Sequence, residues 1–164
     1  MPGRVILIAA VTVDGYIARH NLEITNWSQD LKLFKNQTMG YPVIMGSNTF
    51  ETLGNELDGR ENIIVGRKDN PSQVLSNIKE EKCFVIGGGK TYLRFLKHIT
   101  DFFITPHPYV FGRFIAAPVQ RTLSELHVLF FLSFFPLLFP KLVLPNRVLT
   151  MQVRARPVWG TKEE

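Results

Sequence analysis

Cysteine is almost missing from this sequence. Cys83 is the only one among 164 residues, which excludes an internal disulfide and fits a reducing compartment, so a cytoplasmic location is expected. It lies in the apolar run Cys83-Phe-Val-Ile and reads as a small buried hydrophobe rather than a nucleophile. The histidines, His20, His98, His107 and His127, are dispersed and have no metal-ligand spacing, so no metal is expected. There is no P-loop, no Ser/His/Asp arrangement and no internal repeat. Lys and Arg are scattered rather than blocked. The net charge of +5 suits anionic ligands, but a specific nucleic-acid partner is not expected.

Charge is also missing locally. From Leu126 to Pro140 no residue is formally charged when His127 is neutral, and Phe130, Phe131, Phe134, Phe135 and Phe139 crowd the segment. A membrane span needs about 20 apolar residues. Pro136, Pro140 and Lys141 interrupt this one, so no span is expected. A strand plus an irregular apolar segment, packed on the domain or on a second subunit, is the reading for residues 126–145. Monomer and homodimer both stay open.

With 45% hydrophobic and 20% charged residues, the composition is that of a globular domain and excludes a wholly disordered chain. A single domain over residues 1–153 and a flexible tail at 154–164 are expected. Val5 to Val13 is a continuous β-branched run ended by Asp14-Gly15, the pattern of a strand buried on both faces rather than of a signal peptide. Ser28 is expected to cap a helix through about Met39, which places Asp30 on the same face as Phe34. Val43–Met45 reads as a core strand. A short helix, Thr49–Leu53, follows, capped by Ser47 or Asn48 and closed by Gly54. A strand at 61–65, a helix at 71–81 with Val74, Leu75 and Ile78 inward, a strand at 84–86, a helix at 91–98 and a strand at 102–105 complete the alternation. That order argues an α/β fold with a largely parallel sheet and helices on both faces. Residues 142–153 resume an alternating pattern, expected as a closing antiparallel strand.

Chemistry concentrates between Trp27 and Gly54. Asp30 is the only acid between Glu23 and Glu51 and stands among apolar residues. Such an acid is either a helix N-terminal residue favoured by the dipole or a carboxylate that holds a heterocycle. Gly46-Ser47-Asn48-Thr49 offers backbone N–H groups and hydroxyls at a helix start, suited to a phosphate oxygen. Gly87-Gly88-Gly89, between a strand and a helix, permits close backbone approach.

These motifs carry a resemblance. Asp30-x3-Phe34-x3-Thr38, Pro42-Val-Ile-Met-Gly-Ser-Asn-Thr49-Phe-Glu-x-Leu-Gly54, Gly59-Arg60-x-Asn-Ile-Ile and Val85-Ile-Gly-Gly-Gly-x-x-Tyr92, with Ile8-Ala9-Ala10 near the start, resemble the dihydrofolate reductase family. The likeness runs in order and spacing over roughly residues 5–112. It implies a dihydrofolate reductase-like α/β fold with a central, mostly parallel mixed sheet flanked by helices on both faces. It also implies reduction of 7,8-dihydrofolate to tetrahydrofolate with NADPH.

By the same resemblance, Asp30 anchors and polarises the pterin, and Thr105 hydrogen-bonds its carboxylate. Ile8, Leu31, Phe34 and Leu53 line the substrate, and Arg60 grips the glutamate α-carboxylate. The implied cofactor residues are Ala10, Ile17, Gly46, Ser47, Asn48, Thr49, Ile86, Gly87, Gly88, Gly89, Lys90, Thr91 and Tyr92. Arg67 and Lys68 resemble a site for the adenosine 2′-phosphate, and a cis peptide is implied between Gly87 and Gly88.

The sequence also departs from the family pattern. Trp27 lacks a preceding Pro, Asp30 stands three residues past it where about five is usual, Ala18 replaces a loop glycine and Ser47 a basic residue. Pro108-Tyr-Val-Phe-Gly112 is closer to the riboflavin-biosynthesis reductases of the same fold, so a reductase of a ribosylaminopyrimidine phosphate is the alternative. A non-catalytic nucleotide-binding or assembly protein is a second alternative.

Overall fold

A computed structural model describes residues 1–12, 14–19, 23 and 28–110, and the backbone of 151–154. Trp27, Val13 and the Phe-rich residues 126–145 lie outside the described residues, as do 142–150 and 155–164. The elements are β1 (Arg4–Thr12), α1 (Leu31–Thr38), β2 (Val43–Gly46), α2 (Ser47–Leu53), β3 (Asn62–Val65), α3 (Pro71–Asn77), β4 (Lys82–Gly87), α4 (Gly89–Phe95), β5 (Asp101–His107) and β6 (Met151–Arg154). A 3-10 turn, Leu96–His98, extends α4.

The strands form one sheet in the order β3-β2-β4-β1-β5-β6. β1 to β5 are parallel, and β6 is antiparallel on β5 with Ile104 opposite Met151 and Asp101 opposite Arg154. The expected closing strand is therefore present at its C-terminal end, and Arg154 belongs to it rather than to the tail.

The continuous apolar run of β1 has a simple cause. Val5, Leu7, Ala9 and Val11 enter one core, shared with Leu75 of α3 and Tyr92 and Phe95 of α4. Ile6 and Ile8 enter the other, against which Phe34 of α1 and Phe50 of α2 pack. Helices α1 and α2 thus cover one face, α3 and α4 the other. Right-handed crossovers require this arrangement, because β1→β2→β3 runs one way along the sheet and β3→β4→β5 runs back. The loops after β1 and β2 leave toward one face and the loop after β4 toward the other. In open parallel sheets that divergence opens a crevice at the carboxyl ends of the strands.

Several boundaries differ from those expected. Helix α1 starts at Leu31 with Asp30, not Ser28, at the N-cap. The Ser28 hydroxyl bonds the Asp30 carboxylate instead of a helical N–H. Helix α2 starts at Ser47 with Gly46 at its N-cap, so neither Ser47 nor Asn48 caps it, while Gly54 closes it in the left-handed conformation at φ 74°. Helix α3 stops at Asn77 rather than near Glu81. Ile78 turns extended (φ −79°, ψ 125°) and buries its side chain, bringing the chain round to β4. Its start is well specified: Asn70 accepts from the Ser72 N–H at 2.9 Å and Pro71 opens the helix. β5 runs on through Pro106 to His107, alongside Val11 and Thr12 of β1.

Candidate functional site

The site assembles at the carboxyl ends of the strands. Asp30 stands at the entry to α1, only 7% exposed. Its side chain makes no capping bond to the helix, which argues against a purely helix-stabilising acid. Instead Ser28 Oγ donates to Asp30 Oδ1 and accepts from the Asp30 N–H at 3.3 Å. Among the described residues no cation pairs with this carboxylate.

Thr105 is buried on β5, but its hydroxyl is not the one bonded to Asp30. Its carbonyl oxygen lies 3.0 Å from Nδ1 of His107. His107 Nε2 in turn lies 3.2 Å from Ser28 Oγ and accepts from the Gln29 N–H at 3.1 Å. Ser28 and His107 are contributors that sequence reasoning missed. A signal existed: the two-residue period of a strand puts His107 on the same face of β5 as Thr105.

Ile8 is buried in β1 and Phe34 half-buried in α1. Leu31 and Leu53 are 51% and 40% exposed, leaving apolar side chains open to a ligand. Arg60 is half-buried, its guanidinium 5.9 Å from the centre of the Phe34 ring. Its Nε donates to the Asp58 carbonyl at 3.1 Å and Nη1 to Thr38 Oγ1 at 3.2 Å. Both acceptors are neutral. Burial lowers the Arg60 pKa, against the opposing charge of Asp58, as expected of a desolvated cation without a bonded carboxylate.

The β2–α2 and β4–α4 turns meet next to this region. A Cβ built on Gly46 would lie 2.7 Å from Thr91 Oγ1, and one on Gly88 3.5 Å from Thr49 Oγ1. The Gly87–Gly88 peptide is cis, as the resemblance implied. β4 carries an extra residue, Ile86, between the pairs Ile44–Val85 and Met45–Gly87, a bulge that re-aims the strand end. Ser47 and Asn48 are exposed at the start of α2. Gly89, exposed Lys90 and buried Thr91 open α4. Tyr92 is buried too, and its hydroxyl donates to the Ile8 carbonyl at 2.8 Å, tying α4 to β1. Burial, and after it the charge of Asp30, raises the Tyr92 pKa well above the ordinary tyrosine range.

Ala10 lies near the end of β1, and Ile17 packs on the α3/α4 core from the following loop. Arg67 and Lys68 are exposed on the turn after β3. That turn is pinned by the Gly66 N–H to Asp69 Oδ2 bond at 2.6 Å and by Arg94, which donates to the Gly66 carbonyl at 2.6 Å and to the Asp69 carbonyl. Cys83 is fully buried away from this site, its thiol pKa pushed up to about 12 mainly by burial, which makes it a poor nucleophile. Among the described residues no His/Cys/Asp/Glu group could hold a metal ion, and no helix is long and apolar enough to cross a membrane.

Known proteins resemble this chain in sequence and structure. A family model described as dihydrofolate reductase matches residues 4–107. The chain is 33% identical over 113 residues to the dihydrofolate reductase type 3 of Salmonella typhimurium, covering 60% of this chain and 68% of that protein. It is 30% identical over 110 residues to the dihydrofolate reductase of Haemophilus influenzae, covering 60% and 69%. In structure it resembles the dihydrofolate reductase of Enterococcus faecalis, a structure complexed with NADP(H), with a TM-score of 0.59 at 21% identity over 67% of this chain and 74% of that one. The family match spans well over half of the sequence, and the chain belongs to the dihydrofolate reductase family.

Proposed function

We propose that the protein reduces 7,8-dihydrofolate to 5,6,7,8-tetrahydrofolate with NADPH. The observation that carries this reading is Asp30. It is a buried carboxylate without a cation partner among the described residues, placed at the N-cap of α1. Such a group seeks hydrogen-bond donors, and a pterin offers an amino group and a ring N–H side by side. Family membership and relatives named as dihydrofolate reductases support the same reaction.

The residues present fit the cofactor. Gly46 and Gly87–Gly88 bring two backbones together where a side chain would intrude, and Ser47, Asn48, Thr49, Lys90 and Thr91 surround them with donors. Arg67 and Lys68 supply cations for a 2′-phosphate. When bound, NADPH supplies the hydride that passes to the pterin.

The chain's own part is orientation and polarisation. Asp30 Oδ1 is held by Ser28, which fixes the carboxylate plane. The carboxylate aligns the pterin and draws positive character into the ring, favouring protonation at N5 by solvent. Ile8, Leu31, Phe34 and Leu53 offer apolar contact, and Arg60 receives the glutamate α-carboxylate in a bidentate pair. All these groups come from one chain, so the site is compatible with either a monomer or a homodimer. The sparse, buried cysteine fits work in the cytoplasm.

The test is to mix purified protein with NADPH and dihydrofolate and follow the nicotinamide absorbance. Turnover is expected, with kcat/KM reduced at least about a hundredfold in Asp30→Asn. No turnover, or turnover indifferent to that change, rules out the folate reading. Turnover with a ribosylaminopyrimidine phosphate instead would select the riboflavin-type reaction.

A further inference from the structure

The Asp30 carboxylate accepts from the Ser28 hydroxyl rather than from the strand threonine, and His107 lies against the same corner. Ser28, Asp30 and His107 are each more than nine-tenths buried. The partners of the His107 ring determine its protonation pattern. The Gln29 N–H can only donate, so Nε2 must be an acceptor. The Thr105 carbonyl can only accept, so Nδ1 must carry the proton. The ring is therefore a neutral imidazole in the Nδ1–H form, and its Nε2 lone pair faces the Ser28–Gln29 corner. The Ser28 hydroxyl then has one proton and two neighbouring acceptors, Asp30 Oδ1 and His107 Nε2. The Gln29 N–H already serves Nε2, and the carboxylate is the stronger acceptor, so the hydroxyl proton goes to Asp30.

We propose that Ser28 and His107 are positioning residues for the reaction: His107, anchored at the end of β5, holds the Ser28-Gln29-Asp30 corner, and Ser28 fixes the rotamer of the Asp30 carboxylate toward the pterin. This corner connects two elements seventy-nine residues apart. Asp30 is itself the N-cap residue of α1, and its side chain makes no cap bond. Without the hydroxyl and the ring, the carboxylate could swing toward the open N–H groups of α1 and cap the helix instead. The inference rests on the folate reading above.

The experiment is a mutant cycle measured with NADPH and dihydrofolate. Ser28→Ala and His107→Ala are each expected to lower kcat/KM for dihydrofolate about ten- to hundredfold, with the KM for NADPH unchanged. Ser28→Thr, which keeps the hydroxyl, should restore most of the loss. In an Asp30→Asn background the Ser28→Ala change should have little further effect, because its influence passes through the carboxylate. A loss that persists undiminished in that background, or full activity in Ser28→Ala, overturns the proposal.

A 15N spectrum of histidine-labelled wild-type protein is a second readout that needs no variant to fold. Protonated Nδ1 with bare Nε2 at His107 is expected at neutral pH, and the reverse tautomer overturns the network. If wild-type protein fails to turn over dihydrofolate, the folate reading falls and the catalytic role with it. If wild type is active and Asp30→Asn is not, while Ser28→Ala matches wild type, only the positioning role falls.

Discussion

In the proposed reaction Arg60 would turn desolvation into specificity. Its guanidinium is half-buried over Phe34, bonded only to a carbonyl and a hydroxyl, and its pKa is lowered by burial. A cation in that state gains more from an incoming carboxylate than a fully hydrated one does, and the planar fork favours two-point contact. Arg60→Ala should therefore raise the KM for dihydrofolate about tenfold or more. It should leave turnover of a dihydropterin lacking the glutamate tail nearly unchanged, and steady-state kinetics on the two substrates check this. Equal losses on both would place Arg60 in the fold rather than at the tail. Asp30 drew notice in the sequence as a lone acid among apolar residues, and Arg60 through the Gly59-Arg60 motif of the resemblance. The pairing of Ser28 with His107 was not legible: it depends on β5 lying beside the entry to α1, which only the folded chain provides.

At the scale of elements, α2 and the β4–α4 turn would carry the cofactor in the proposed reaction, and the two glycines that bound α2 are constrained differently. Gly54 sits at φ 74° with nothing within 4 Å of an added Cβ, so its constraint is backbone conformation alone. Gly46 has ordinary extended torsions, and its constraint is contact: an added methyl would meet Thr91 Oγ1 at 2.7 Å. Gly46→Ala should push β2 and α4 apart, costing about 1–3 kcal/mol of stability and raising the KM for NADPH. Gly54→Ala should cost about 1 kcal/mol and leave the NADPH KM unaltered. Urea denaturation and cofactor kinetics on the pair separate the two mechanisms, and equal effects on NADPH would remove Gly46 from the site. The sequence revealed the existence and type of these elements, because apolar periodicity and glycine punctuation are local signals. It placed the starts of α1 and α2 wrongly. Ser28, Ser47 and Asn48 all look like caps, yet the Ser28 hydroxyl turned to a carboxylate while the backbone at Gly46 began α2 without side-chain help.

On the scale of the whole molecule, the chain covers one face of the sheet with α1 and α2 and the other with α3 and α4. Groups that would contact NADPH therefore come from elements on both faces: Gly46 to Thr49 from one, Gly87 to Tyr92 from the other, and Arg67 and Lys68 from the turn between β3 and α3. The Tyr92–Ile8 bond joins this assembly to the central strand. A ligand that bridges both layers stabilises the folded state only, so its affinity appears directly as a rise in melting temperature. At a concentration one hundred times its dissociation constant, NADPH should add about 2.7 kcal/mol, a shift of about 5–10 °C for a chain of this size. NADH at the same concentration should produce a distinctly smaller shift, since it offers Arg67 and Lys68 no 2′-phosphate. Replacing both with Ala should bring the NADPH shift down to that of NADH without changing the melting temperature of the free protein, because the two side chains are exposed. If the double variant keeps the full NADPH preference, those cations are not the 2′-phosphate site, and discrimination must arise from the crevice itself.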